Sequence, residues 1–276
     1  MSAAVGRAFD ASERASVAAG VEVRPLDSTE DLAAAAELFT DTWATPERHP
    51  PTPFNVLRAL SFSGSYVAGA YRHDLLVGGS VAFLANVQGD FGLFSHSLAV
   101  GSIDQSKGIG YAIKQHQRYW TLERGMRFVW WTFDPLIVRN AYLNTVKLGA
   151  VGRAFLPDFY GSMKDRLNSG RVSHRLLAVW QLDSERAEAA AAKHLTSPAC
   201  QTGTADADLP ADAHPGTGDG MFVLRAPGLT SSDPAVRARS SRPALEGIEA
   251  AIASGFDLTK VDKTGTYTFS RRATCV

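Results

Sequence analysis

The strongest constraint on this chain lies between Ser97 and Glu123. An apolar stretch, Ser97-Leu98-Ala99-Val100, turns through a short polar segment into Gln105-Ser106-Lys107-Gly108-Ile109-Gly110 and then directly into a helical pattern. Strand, glycine loop and helix thus follow one another without a break. Glycines at 108 and 110 carry no β-carbon, so a bound anion can approach peptide N–H groups where a helix leaves its first donors unpaired. Pyrophosphate is the natural guest of such a site. Lys107 adds a mobile cation, and Gln105 and Ser106 add neutral polar side chains at the mouth of the loop. An isolated Gly-x-Gly fits a tight turn and helix cap better than a ligand site, so the surrounding order carries the inference.

Two nucleotide patterns fit less well. A dinucleotide fingerprint needs Gly-x-Gly-x-x-Gly and an acidic residue about twenty positions on, and here Lys107, Gly108 and Ile109 leave no place for its first glycine. The phosphate loop of nucleoside triphosphatases needs Gly-Lys-Ser/Thr, which is absent from this segment.

The rest of the chain reads as α/β. With 276 residues and 45% hydrophobic side chains it can bury a full core. Its 28 basic and 28 acidic residues cancel, which favours neither nucleic acid nor an anionic membrane surface and leaves a small molecule as the expected partner. The two cysteines, Cys200 and Cys275, form no disulfide framework and no metal-ligand spacing, so a reducing cytoplasm and no metal are expected. Residues 1–20 carry Arg7, Asp10, Glu13 and Arg14 among alanines, unlike a signal peptide, and read as a mobile arm.

Strand and helix patterns then alternate. A strand at 21–24 and a helix at 31–43 capped by Asp27 or Ser28 precede a proline-rich loop and a short helix at 54–61. Three antiparallel strands are expected at 66–71, 75–84 and 91–100. The helix at 110–124 is followed by the densest apolar run, Phe128-Val129-Trp130-Trp131-Thr132-Phe133, expected as a buried strand. A helix at 137–148 and strands at 150–155 and 175–182 complete a domain over 21–183. Residues 184–220 read as a helix and linker, and 221–276 as a small α/β extension packed on the domain or on a second subunit of a homodimer.

The order Gln/Arg-x-x-Gly-x-Gly/Ala, placed after a strand and opening a helix, resembles the acyl-CoA pyrophosphate loop of the GNAT acyltransferase superfamily. The resemblance covers about residues 21–183 and implies a mixed, mostly antiparallel sheet flanked by helices, with direct acyl transfer from CoA to an amine in a ternary complex. It implies that Gln105 to Tyr111 bind the cofactor. The strand carrying Leu98, Ala99 and Val100 would splay from its neighbour and pair with the pantetheine arm. On the helix after the apolar run, registering Ala141, Lys147 and Gly149 on the family pattern puts Val138 where an asparagine is usual and Thr145 where a thiolate-protonating tyrosine is usual. Asn140 or Asn144 is left to bond the pantetheine, and Tyr142, Tyr160 or solvent to supply the proton.

Among seven histidines, His96 stands two positions before Leu98, so the two side chains should share a face, which makes His96 the candidate general base. A half-buried histidine bonded to a neighbouring strand is the simpler alternative. His49 and His174 fall in expected loops. Phe133, Asp134 and Arg139 lie at the end of the apolar strand, where an acceptor would be recognised, although Asp134 also suits a helix cap and Arg139 an exposed helical charge.

Trp131 to Leu136, Arg139-Asn140-Ala141 and Phe159 to Gly170 resemble one branch of GNAT proteins with a long C-terminal extension, some associated with N-acylation or N-succinylation of amino acids. That resemblance implies acetyl-CoA or succinyl-CoA as donor and Arg139 or Arg175 as a carboxylate grip. A non-catalytic acyl-CoA sensor on the same fold is the alternative function. A protein acetyltransferase is disfavoured, because no acidic run suits basic tails.

Overall fold

The computed structural model describes residues 2–44, 51–87, 89–163, 165, 172–196 and 220–272. Expectations for His49, the 197–219 linker, Cys200 and Cys275 lie outside the described residues. The chain forms two compact units: residues 1–131 with 160–173 and 181–184, and residues 132–159 with 174–180 and 185–276.

The first unit opens with helix α1 (Ala3–Ala19) rather than a mobile arm. Ser2 Oγ accepts from the Val5 amide and Gly20 closes the helix in a left-handed conformation. Val5, Ala8, Ala11, Ala15 and Ala19 recur on one face, and this small-residue face packs on a later helix. The charges at 7, 10, 13 and 14 mark the exposed side of an amphipathic helix, which is why composition alone suggested an arm.

Strand β1 (Glu22–Pro25) leads to α2 (Thr29–Trp43), where Ser28 Oγ accepts from the Asp31 amide at 3.1 Å. Helix α3 (Phe54–Phe62) and strands β2 (Tyr66–Arg72), β3 (Leu75–Val87) and β4 (Asp90–Val100) follow. Helix α4 (Ile109–Glu123) and strand β5 (Phe128–Phe133) come next. The sheet order is β1-β2-β3-β4-β5, antiparallel except for the parallel β4–β5 pair. Leu32, Phe39, Leu57, Val67, Val81 and Ala99 form one core beneath α2. Each fully buried Leu or Phe there contributes about 1.5–3 kcal/mol of transfer free energy. Asp31 ties the edge together, accepting from Arg24 at 2.9 Å and from the Tyr71 hydroxyl at 2.6 Å.

In the second unit, α5 (Val138–Tyr142) gives way to a π-helical turn, Leu143–Lys147, where an uninterrupted helix was expected. Thr145 Oγ1 donates to the Ala141 carbonyl at 2.8 Å, a back-bond that accompanies the widened turn. Strands β6 (Val151–Leu156) and β7 (Arg175–Gln181), helix α6 (Glu185–Thr196), β8 (Met221–Arg225), α7 (Pro234–Ala253) and the hairpin β9 (Phe256–Val261) and β10 (Thr266–Arg271) complete it. The order is β7-β6-β9-β10-β8, all antiparallel.

The C-terminal segment is therefore no appendage beside a domain ending at 183, since β9 pairs directly with β6 through Gly152 and Leu258. Buried Asp257 accepts from Arg153 at 3.1 Å and from Arg272 at 2.9 Å. The Arg186 guanidinium donates to the carbonyls of Gly149 at 3.0 Å, Thr145 at 3.1 Å and Thr259. Strand pairing across a hundred residues leaves no local pattern, and the low-complexity 197–219 stretch disguised it. No helix among the described residues is long and apolar enough to cross a membrane.

Candidate acyl-CoA site

Strands β4 and β5 are joined by a short parallel ladder that pairs Gly92, Leu93 and Phe94 with Phe128, Val129 and Trp130. Beyond it β4 continues to Val100, paired among the described ladders with β3 alone. Gly92 permits the close approach at the joined end: a Cβ there would lie 2.2 Å from the Phe128 carbonyl oxygen and 2.8 Å from the Trp130 ring. The strands thus meet tightly and then part. The parting leaves backbone groups of β4 available to an extended ligand, as a strand edge does.

A bulge falls where the strands part. Ala82 pairs with Ser95 and Val81 with Ser97, so His96 is the extra residue. Leu98 pairs with Ser80 and meets Gly110 of α4, whereas the His96 ring sits 5.8 Å from that of Phe83. Ser80 and Phe83 are three apart on β3 and so project to opposite faces. His96 and Leu98 therefore lie on opposite faces, which corrects the expectation from simple alternation. The imidazole donates to the carbonyl of Pro51, leaving its second nitrogen with a lone pair. Desolvation holds its pKa below the ordinary value, the Pro51 bond partly opposing this, while the residue keeps an exposed edge.

After β4, the Gly101 amide donates to Val77 and a single helical turn, Ser102–Asp104, leads into the loop. Gln105, Ser106, Lys107 and Gly108 are exposed and Ile109 is buried. Gly108 has φ +87° and stands at the start of α4 with no side-chain cap. A side chain there would strain the backbone, and the first amides of α4, on Ile109, Gly110 and Tyr111, are left without a capping side chain. Ser106 is also left-handed, at φ 69°. Gly110 plays a different part from the one expected: a Cβ there would meet Leu98 and Val100 at 3.5 and 3.9 Å, facing β4 rather than the loop. The Tyr111 ring is buried and its phenol is pushed up to about 12 by desolvation, so its amide is the group that belongs to the loop.

Lys107 is not a mobile cation. Its ammonium is 3.0 Å from Asp104 Oδ1, which Arg72 also meets at 2.5 Å. Bonds from Arg72 and Lys107 hold the Asp104 carboxyl below the usual range. Two cations on one carboxylate leave a surplus positive charge beside the helix start, which suits an anion.

One polar side chain of this site escaped the sequence reading. Lys114 is four residues after Gly110 and hence on the same face of α4. Its buried ammonium donates to Ser95 Oγ at 2.9 Å and Gln117 Oε1 at 3.0 Å and lies 4.1 Å over the Trp131 ring. The available signal was a lysine on the inward stripe of an amphipathic helix.

The Tyr160 amide donates to Ser173 Oγ at 2.8 Å, and the residue is partly exposed. In the second unit Phe133 is buried, and Asp134 accepts from the Leu136 amide at 2.9 Å as a turn cap. Arg139 and Asn140 are exposed on α5, whereas Asn144 is buried in the π-helical turn. Arg175 is buried and donates to the His174 carbonyl at 2.9 Å. Thr145 accepts from the Val261 amide at 3.0 Å.

No family model and no curated protein matches the chain. Among solved structures, it is similar to the ribosomal-protein-S18-alanine N-acetyltransferase from Escherichia coli. That match has 14% identity over 59% of this chain and 94% of that one, with a TM-score of 0.47. An N-acetyltransferase from Staphylococcus aureus Mu50 shows 13% identity over 59% and 98%, with a TM-score of 0.46. Arabidopsis thaliana Naa50, in complex with a bisubstrate analogue, shows 16% identity over 58% and 97%, with a TM-score of 0.45. The short parallel β4–β5 ladder, the mostly antiparallel sheet flanked by helices and the glycine loop opening α4 make up the GNAT-like arrangement that the sequence resemblance implies.

Proposed function

We propose that the protein is an acyl-CoA-dependent N-acyltransferase that moves an acetyl or succinyl group from CoA to a small amine such as an amino acid, by direct attack in a ternary complex. The observation that carries this reading is the junction of two features in the first unit. Strand β4 parts from β5 after Phe94, and its C-terminal end runs into the uncapped, left-handed Gly108 start of α4. In this reading the amides of Gly108 to Tyr111 hold the pyrophosphate, with Arg72 and Lys107 supplying charge. The β4 backbone from Leu98 to Val100 pairs with the pantetheine arm.

His96 serves as the general base. Its second nitrogen accepts the proton that the acceptor amine loses, and its depressed pKa keeps it neutral near pH 7. Arg139, exposed on α5, is the preferred grip for an acceptor carboxylate. Buried Arg175 is already engaged with its own chain. Asn140 and Asn144 remain proposed pantetheine contacts, and Tyr160 a proposed proton source.

The test is release of free thiol from acetyl-CoA and succinyl-CoA across a panel of amino acids and other small amines, beside direct binding of CoA. Saturable thiol release dependent on an amine supports the reading. The engagement of Thr145 with Val261 favours one second reading, an acyl-CoA sensor, which tight binding without turnover on any amine would establish.

A further inference from the structure

Lys114 is an anomaly in an otherwise ordinary core. Its neighbours Ser95, Gln117 and Trp131 are all neutral, and among the described residues no carboxylate is paired with it. A buried cation without a counter-ion costs several kcal/mol, and an apolar side chain at this helix position would avoid that cost.

Its location gives the cost a purpose. The last β4–β5 pair is Phe94 with Trp130. Ser95 and Trp131 are the next residue on each strand, and the Lys114 ammonium touches both. It therefore sits where the two strands part, at the inner end of the opening into which the acyl-CoA reading places the thioester. Burial pushes its pKa down to about 7, so near neutrality the group both holds and yields a proton.

Resting on that reading, we propose that Lys114, in place of Tyr160, is the proton donor to the CoA thiolate as it leaves. The acceptor nitrogen forms a bond to the thioester carbonyl carbon, and the C–S bond breaks with its electron pair on sulfur. An Nζ–H proton passes to that sulfur, leaving a neutral amine. The proton lost by the acceptor nitrogen passes through His96 to water, and water returns one to Lys114. The role fits the engagement of Thr145, which stands where the family's tyrosine donor is usual and is bonded to Ala141 and Val261.

The test compares CoA with desulfo-CoA by calorimetry at pH 7 in two buffers of different ionisation enthalpy, in the wild type and in Lys114→Met. The wild type should bind CoA about tenfold more tightly than desulfo-CoA, as a hydrogen bond between the thiol and the Lys114 amine implies, and should release protons on binding CoA but not on binding desulfo-CoA. Lys114→Met should bind the two alike and release none. The wild-type comparison alone decides the matter if the variant does not fold. Equal affinity of the wild type for the two ligands, or a sulfur preference and proton release that survive in Lys114→Met, would overturn the proposal. A variant that loses only a preference for succinyl-CoA over acetyl-CoA would overturn it too, assigning Lys114 to a carboxylate on the acyl chain. Failure of the wild type to bind either CoA or desulfo-CoA would instead sink the acyl-CoA reading, and this proposal with it.

Discussion

Thr145 Oγ1 accepts a hydrogen bond from the Val261 amide at 3.0 Å while donating to the Ala141 carbonyl at 2.8 Å. One buried hydroxyl thus joins the π-helical turn to strand β9, and the position that would carry a tyrosine acid in the family pattern is used to fasten the C-terminal strands. Thr145→Val should leave the Val261 amide buried without its acceptor and destabilise the fold by about 1–3 kcal/mol. Urea unfolding measures this directly. A change within error would show that the bond carries no net stability.

The two glycines of the loop should behave differently. Gly108 is left-handed, so Gly108→Ala should cost about 1–3 kcal/mol in backbone strain or shift the loop, and weaken CoA binding. A Cβ on Gly110 finds ordinary contact distances to Leu98 and Val100, so Gly110→Ala should bind CoA nearly as the wild type does. Calorimetric titration of both variants with CoA checks the pair.

Asp104 holds Arg72 and Lys107, and its folded-state pKa lies below the ordinary 3.8. A depressed carboxylate pKa contributes stability above its unfolded value and loses it as pH falls through the folded one. Asp104→Asn should therefore be less stable than the wild type at pH 7, with the gap closing as pH falls below 3.8. Denaturant unfolding at several acidic pH values tests the sign. A gap independent of pH would show that the carboxylate's charge is immaterial.

Lys114 should show the opposite slope. Its folded-state pKa is lowered from 10.5 to about 7, so protonation is disfavoured by folding and the penalty is complete below pH 7. Wild-type stability should rise with pH between these values, by at most about 1.4 kcal/mol per pH unit, relative to Lys114→Met. The advantage of Lys114→Met should thus shrink as pH is raised, which paired unfolding curves would reveal.

His96 governs the acid limb of the rate in this account. His96→Ala should lower kcat/KM by about 10²–10⁴-fold and remove a limb that titrates below the ordinary 6.5 of histidine. An unchanged pH–rate profile would reduce His96 to a packing residue at the bulge.

The loop was legible in sequence because its constraints are local. Gly108 and the polar run before it sit beside an apolar strand and an amphipathic helix, and α4 begins within one residue of the expected start. Phe128–Phe133 was equally plain, since a continuous apolar run needs burial on both faces. What escaped depended on partners far away in the chain. The bulge that turns His96 away from Leu98 is a property of the β3–β4 pairing, and alternation along β4 alone conceals it. The same holds for Arg72 meeting Asp104 and for β9 pairing with β6. Lys114 was hidden for another reason: a lysine in a helix pattern reads as a solvated charge until the neighbouring strands are placed.

The most direct test of the central claim is calorimetric titration of the wild type and Gly108→Glu with CoA, both variants first shown to be folded by circular dichroism. The wild type should bind CoA saturably and one-to-one and Gly108→Glu not at all, because its carboxylate would stand where phosphate is held. Equal affinity for the two proteins, or no binding by the wild type, would rule out the loop as the phosphate site.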